Sequence, residues 1–228
     1  MEKIEYRIKV ENLTCKIGHN TVFENVNFAI KPDEALVINW RDGLGKTTFL
    51  EICAGLSLKY YGNIFWNDIN IKKMPKEIIM KERSKAGFIF QNSALISNHN
   101  VFDNIALPLR YHSNLSHKEI DEIVAKQIQE FELENIKHLL PEMLTTSQSK
   151  IVSTARALVV KPEILYLDEL SRGLDPESFD FLSNKIIENF KNENVTILML
   201  STSNSLIKKL KFPVSIIKNA KFFHYNQC

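Results

Sequence analysis

The chain has 228 residues, enough for one domain with a substantial buried core, and its 29 basic and 27 acidic residues leave a net charge of +2. This near balance argues against attachment to nucleic acid or to an acidic membrane surface through bulk charge, so we expect no nucleic-acid partner. The three cysteines show no metal-ligand spacing, which argues against a zinc site and favours a reducing cytosol. No apolar run approaches the roughly 20 residues that a membrane-spanning helix needs.

Short alternating or β-branched runs predict strands at about residues 5–13, 21–30 and 63–67, which we expect to form an antiparallel layer. Nearly continuous apolar runs predict the buried strands of a parallel sheet covered by helices on both faces: ALVIN, GFIF, EILYLD and TILMLS. Helical periodicity recurs through about residues 91–160. We therefore predict a helical insertion there, within one α/β domain that covers residues 1–228.

A glycine-rich segment, WRDGLGKTT, follows the ALVIN strand and opens a helix. Backbone N–H groups, a helix N-terminus and a lysine would meet there in one small volume, which suits a phosphate group. In such a loop Lys46 contacts the β- and γ-phosphates of ATP, and the Thr47 hydroxyl takes a position on Mg²⁺. The predicted nucleotide contacts of this segment are Trp40, Arg41, Asp42, Gly43, Leu44, Gly45, Lys46, Thr47 and Thr48.

Two adjacent carboxylates, Asp168 and Glu169, end the apolar run ILYLD far downstream. Beside a phosphate loop, Asp168 would bind the magnesium ion and Glu169 would orient or deprotonate the attacking water. The alternative, a strand end that simply enters solvent, does not explain why GLDP follows a few residues later.

With these motifs the chain resembles the nucleotide-binding subunit of an ABC transporter over almost its whole length. Gln91 stands at the position of the family's Q-loop, and LTTSQSKIVSTARAL (144–158) at its signature and the helix behind it. SRGLD falls at the D-loop, with Asp175. The segment FQNSALISNHNVFDNIALPLR (90–110) is similar to the corresponding stretch in the ATPases of the Mla/MCE lipid-transport systems.

The resemblance implies a P-loop NTPase of the ABC ATPase class, with a RecA-like parallel-sheet core, an antiparallel β subdomain and a helical subdomain. It implies that Glu169 is catalytic. The nucleotide contacts that it implies outside the loop are Gln91, Thr145, Ser147, Gln148, Asp175 and Thr202. The magnesium ligands that it implies are Thr47, Gln91 and Asp168. Its implied partners are an integral-membrane permease subunit, a second identical ATPase subunit and an MCE-type lipid-binding protein, on the cytoplasmic side of the inner (cell) membrane.

Several positions depart from the family pattern. Thr146 and Ser147 replace signature glycines, and both a plain N-cap role and residual phosphate contact fit the hydroxyls of Thr145 and Ser147. Thr202 stands where the switch histidine is expected, and its hydroxyl is shorter and uncharged. These changes predict that hydrolysis suffers more than binding.

Trp40 replaces the first glycine of the loop. We expect a residue with a side chain at this position to strain the backbone by about 1–3 kcal/mol. We expect the indole to pack against the sheet edge, the less favoured alternative being that it stacks on the base of the nucleotide.

The sequence thus predicts an ATP-binding subunit of an ABC transporter, of the Mla/MCE phospholipid type, with weakened hydrolysis. The alternative is a non-hydrolysing nucleotide switch or scaffold subunit, which would explain the altered motifs but not the retained Glu169.

Overall fold

The structure, a computed structural model, describes residues 4–40, 45–193 and 195–225. Four predicted phosphate-loop residues, Arg41, Asp42, Gly43 and Leu44, lie outside the described residues. The strands are β1 (Ile8–Ile17), β2 (Asn20–Ile30), β3 (Ala35–Trp40), β4 (Tyr61–Trp66), β5 (Ile69–Asn70), β6 (Ala86–Ile89), β7 (Ile164–Asp168), β8 (Thr196–Leu200), β9 (Val214–Lys218) and β10 (Lys221–Tyr225). The α-helices are α1 (Lys46–Cys53), α2 (Lys76–Ser84), α3 (Val101–His112), α4 (His117–Glu130), α5 (Thr146–Leu158), α6 (Pro176–Asn192) and α7 (Asn204–Leu210).

All ten strands belong to one sheet with the order β5-β4-β1-β2-β10-β9-β3-β8-β7-β6. The strands β9, β3, β8, β7 and β6 are parallel, whereas β2, β1, β4 and β5 are antiparallel. The predicted parallel core and antiparallel layer are therefore confirmed, but they form one continuous sheet. The sequence patterns missed the link, because β9 and β10 are short strands with lysines at their ends. In that link β10 pairs with β2 through Lys221 and Glu24.

The region of predicted helical periodicity contains α3, α4 and α5. Each of these helices starts at a side-chain cap, which satisfies backbone N–H groups that have no partner inside the helix. Asn100 caps α3, Ser116 caps α4 and Thr145 caps α5, the last two in reciprocal capping boxes. These caps fix where each helix begins. None of the helices in the described ranges is both long enough and apolar enough to cross a membrane.

Trp40 ends β3, which lies inside the sheet between β9 and β8. Its side chain is 2% exposed and meets Phe23 of β2 and Phe49 of α1 edge to face, with ring centroids 5.8 and 5.9 Å away. The indole therefore packs inside the apolar core and not at a sheet edge. The predicted strain is wrong, because Trp40 keeps β-strand backbone and a negative φ.

We expect Trp40→Ala to lower the free energy of unfolding by about 3–5 kcal/mol, because it removes a large buried side chain from a packed aromatic cluster. Trp40→Phe keeps part of the contact with Phe23 and Phe49 and should cost less. Urea unfolding of the nucleotide-free protein measures both variants. A loss below about 1 kcal/mol for Trp40→Ala would contradict the packing role.

Candidate nucleotide and magnesium site

The start of α1 is suited to an anion. Gly45 precedes this helix with a φ of 106°, and a Cβ there would lie 1.9 Å from Cγ1 of Val22, so only glycine fits. The N-cap residue Gly45 has no side chain to cap the first turn of α1, and that turn holds no acidic residue. Its backbone N–H groups and the positive end of the helix dipole are therefore available to a phosphate. Thr48, in the same turn, is half-buried.

Asp168 and Thr47 form a hydrogen bond beside the start of α1. The Thr47 hydroxyl donates to Oδ2 of Asp168 at 2.7 Å, across 121 residues of sequence. Asp168 is 1% exposed, and burial raises the pKa of its carboxyl. Its other oxygen, Oδ1, is buried and has no hydrogen-bond partner among the described residues. A buried carboxylate oxygen without a donor fits a hard cation such as Mg²⁺, which prefers oxygen ligands.

Glu169 lies beside this pair with both oxygens engaged. Lys46 Nζ approaches its Oε1 at 3.3 Å, while the amide and hydroxyl of Thr202 donate to its Oε2 at 3.2 and 3.1 Å. The backbone of Glu169 has a φ of 48°, uncommon for a residue with a side chain and often found at functional sites. Thr202 therefore does reach the site, through Glu169.

The signature residues form a second cluster. Thr145 is the N-cap of α5, and its hydroxyl accepts from the Gln148 amide at 3.1 Å. The Ser147 hydroxyl instead donates to Oδ2 of Asp175 at 2.6 Å and accepts from the Asp175 amide at 3.2 Å. The Ser147 hydroxyl therefore donates its proton within this chain, and this hydrogen bond joins the start of α5 to the start of α6. Hydrogen bonds from Ser147 and Ser178 lower the pKa of Asp175 to about 2.

Gln91 follows β6, the neighbour of β7 in the sheet. The register pairs Ile89 with Leu167, so the residues after each strand end at the same edge. Sequence reasoning missed Lys150, which is 1% exposed and whose amine donates to the carbonyl of Gln91 at 2.6 Å. No sequence pattern pointed to it, because the positions that α5 buries include the polar residues Ser147, Lys150 and Thr154 as well as apolar ones.

A groove of about 990 Å³ opens beside this turn, between α2, β6 and α3. Its apolar lining includes Leu56, Met80, Phe88, Phe90, Leu107 and Tyr111. Lys76, Lys81 and Arg83 supply positive charge, and no acidic side chain lines the groove within the part of the chain that the structure covers.

The chain matches the family model described as "ABC transporter" over residues 23–172. It is 29% identical to the intermembrane phospholipid transport system ATP-binding protein MlaF of Haemophilus influenzae, over 85% of this chain and 74% of that protein. It is 30% identical to the methionine import ATP-binding protein MetN of Chlamydia pneumoniae, over 89% of this chain and 60% of that protein.

Among solved structures, the fold superposes on the dimeric ATP-binding cassette MJ0796 bound to ADP and Pi with a TM-score of 0.86. The alignment covers 94% of this chain and 96% of that one at 24% identity, so it supports the fold alone.

Two aspartates of the site should affect stability in opposite directions. Burial raises the pKa of Asp168, so its ionised form, present above that pKa, destabilises the fold, and Asp168→Asn should raise the urea midpoint at neutral pH. The pKa of Asp175 is lowered to about 2, so its carboxylate contributes stability that is lost only as pH falls towards 2. Asp175→Asn should therefore lower the midpoint at neutral pH.

Both midpoints are measured without nucleotide or magnesium. Destabilisation by Asp168→Asn, or stabilisation by Asp175→Asn, would show that the electrostatic balance at that aspartate has the opposite sign.

Proposed function

Because this chain belongs to the family of ABC transporter ATP-binding subunits, as its motifs predicted, we propose that it binds Mg–ATP and couples this binding to a membrane permease. The observation that carries the proposal is the Thr47–Asp168 pair, whose unpartnered buried oxygen adjoins the uncapped start of α1. Hydroxyl, carboxylate, lysine and helix N-terminus together suit a phosphate chain with its divalent cation.

Each residue of this site then has a role. Lys46 and the first N–H groups of α1 would bind the phosphates, while Thr47, Gln91 and Asp168 would hold the metal. When bound, Mg²⁺ neutralises charge on the phosphates, and ATP supplies the phosphoryl group that water attacks. Glu169 would orient that water and take its proton. To do so it must exchange its hydrogen bonds with Lys46 and Thr202 for contacts with the nucleotide and water.

We propose that the altered residues weaken ATP hydrolysis more than they weaken ATP binding. The Ser147 hydroxyl is donated to Asp175 and is therefore not available to a phosphate held by a second subunit. Thr202 offers an uncharged hydroxyl that is bonded to Glu169. The same contacts support the second candidate, a nucleotide switch or scaffold that does not hydrolyse ATP. A turnover rate measured on the intact transporter separates the two.

For cargo and partners, we favour the Mla/MCE phospholipid type. The similarity to MlaF and the segment at residues 90–110 support it, although the chain is about equally similar to a methionine importer. The proposed partners are a permease, a second identical ATPase subunit and an MCE-type lipid-binding protein, with the subunit peripheral on the cytoplasmic side of the inner (cell) membrane. A basic and apolar groove suits an amphipathic permease segment that carries acidic residues.

The first test concerns the nucleotide. Wild-type protein should bind Mg–ATP in calorimetry, and Lys46→Ala should weaken the affinity at least tenfold, because a charge-assisted contact to the phosphates is lost. Lys209→Ala is the control, since Lys209 pairs with Asp180 on α6 and takes no part in the proposed site. Equal affinities for wild type and Lys46→Ala would refute the assignment.

The second test concerns the groove. Leu107→Asp places a carboxylate in the apolar lining that docking would have to desolvate, and it should release the subunit from its permease complex during purification. Ile69→Asp is the matched control, because Ile69 is 54% exposed on β5. Phe102, although on the same helix as Leu107, is half-buried against the core, so a charge there would test folding. Normal co-purification of Leu107→Asp would place the docking surface elsewhere.

A further inference from the structure

Lys150 is a buried cation that the proposed mechanism does not use. It is 1% exposed, and its Nζ donates to the carbonyl oxygens of Phe90 and Gln91 at 3.0 and 2.6 Å. No ion pair within 4.0 Å involves it among the described residues. A lysine without a paired carboxylate is costly to bury, so its place calls for a reason.

The surroundings of Lys150 place it close to the two acids of the site. Burial lowers its pKa to about 8, while the negative charges of Asp168 and Glu169 act in the opposite direction. For Asp168, burial raises the pKa, and the charge of Lys150 only partly opposes that rise. Lys150 therefore lies behind the turn after β6, bonded to the carbonyls of Phe90 and Gln91.

The turn that Lys150 holds depends on α5 at both ends. Arg156, two turns further along α5, donates to the carbonyl oxygens of Ser93 and Ala94, each at 2.9 Å. Ser93 and Ala94 have φ values of 63° and 45°, in the left-handed region that residues with side chains seldom occupy. Such a turn persists only where its neighbours hold it.

We propose that Lys150 is a positioning residue for the magnesium–nucleotide site: by binding the carbonyls of Phe90 and Gln91 it fixes the turn that sets Gln91 beside Asp168. The sheet register brings this turn to the site, since Ile89 pairs with Leu167 and the turn residues Phe90 and Gln91 therefore follow β6 at the edge where Asp168 ends β7. The inference rests on the proposed function for the part that concerns the metal.

The first readout needs no nucleotide. The Ser93 amide donates to the carbonyl of Phe90 at 3.0 Å, the same oxygen that accepts from Lys150. Lys150→Met keeps the bulk of the side chain and removes its donors, so it should speed hydrogen exchange of the Ser93 amide at least tenfold. Lys150→Gln keeps two N–H donors and should retain most of the protection.

The second readout is the magnesium concentration that half-saturates ATP binding to the isolated chain. Lys150→Met should raise it about tenfold, the usual effect of removing a residue that orients a metal ligand, and Lys150→Gln should restore most of it. Lys209→Met is the control, because Lys209 pairs with Asp180 on α6 and takes no part in the proposed site. It should leave the half-saturating concentration within about twofold of wild type.

The outcomes separate the two proposals. Unchanged exchange of the Ser93 amide in Lys150→Met, or a Gln variant as defective as Met, would overturn the positioning role. Faster exchange with an unchanged magnesium dependence would reduce Lys150 to a structural residue and overturn its link to the site. Failure of the wild type to bind Mg–ATP would instead overturn the proposed function. It would also overturn the role of Lys150 in the metal site.

Discussion

Two adjacent acids buried at the end of β7 set the arrangement of everything around them. Asp168 is 1% exposed and Glu169 is 4% exposed, and a buried carboxylate is costly unless donors or cations face it. Thr47, Lys46 and Thr202 each direct a donor at one of these carboxylates. One oxygen of Asp168 has no partner among the described residues, and this is the basis for the proposed cation. The buried acids thus explain both the internal contacts and the proposed ligand.

The helix α5 connects the distant parts of this site. Its N-cap residue Thr145 is hydrogen-bonded to Gln148, and Ser147 is hydrogen-bonded to Asp175 at the start of α6. Further along, Lys150 and Arg156 hold the turn after β6. A displacement of α5 would therefore move Gln91 and Asp175 together. Since that turn also borders the groove, α5 would connect the proposed nucleotide site with the proposed docking groove.

The residues that depart from the family pattern have structural partners of their own. Trp40 packs with Phe23 and Phe49 inside the core. Thr146 lies over Gly173, because a Cβ added at Gly173 would lie 2.9 Å from the methyl carbon of Thr146. Ser147 holds Asp175. Substitutions that restore glycine at these positions would therefore remove packing or hydrogen bonds as well as bulk, and the altered motifs belong to a consistently folded chain.

The sequence by itself determined the fold class, four of the five parallel strands and the helical region, and it selected Lys46, Thr47, Asp168 and Glu169 as candidate site residues. These features are encoded by local patterns: apolar periodicity, glycine before a helix, and acids at the end of an apolar run. Tertiary structure decided the features that a periodic sequence pattern does not encode. The joining of both sheet halves through β10 and the burial of Lys150 both depend on contacts between residues distant in the chain. The two hydroxyls of Ser147 and Thr202 could not be assigned from sequence for the same reason, since a hydroxyl bonds whichever group the fold brings within about 3 Å.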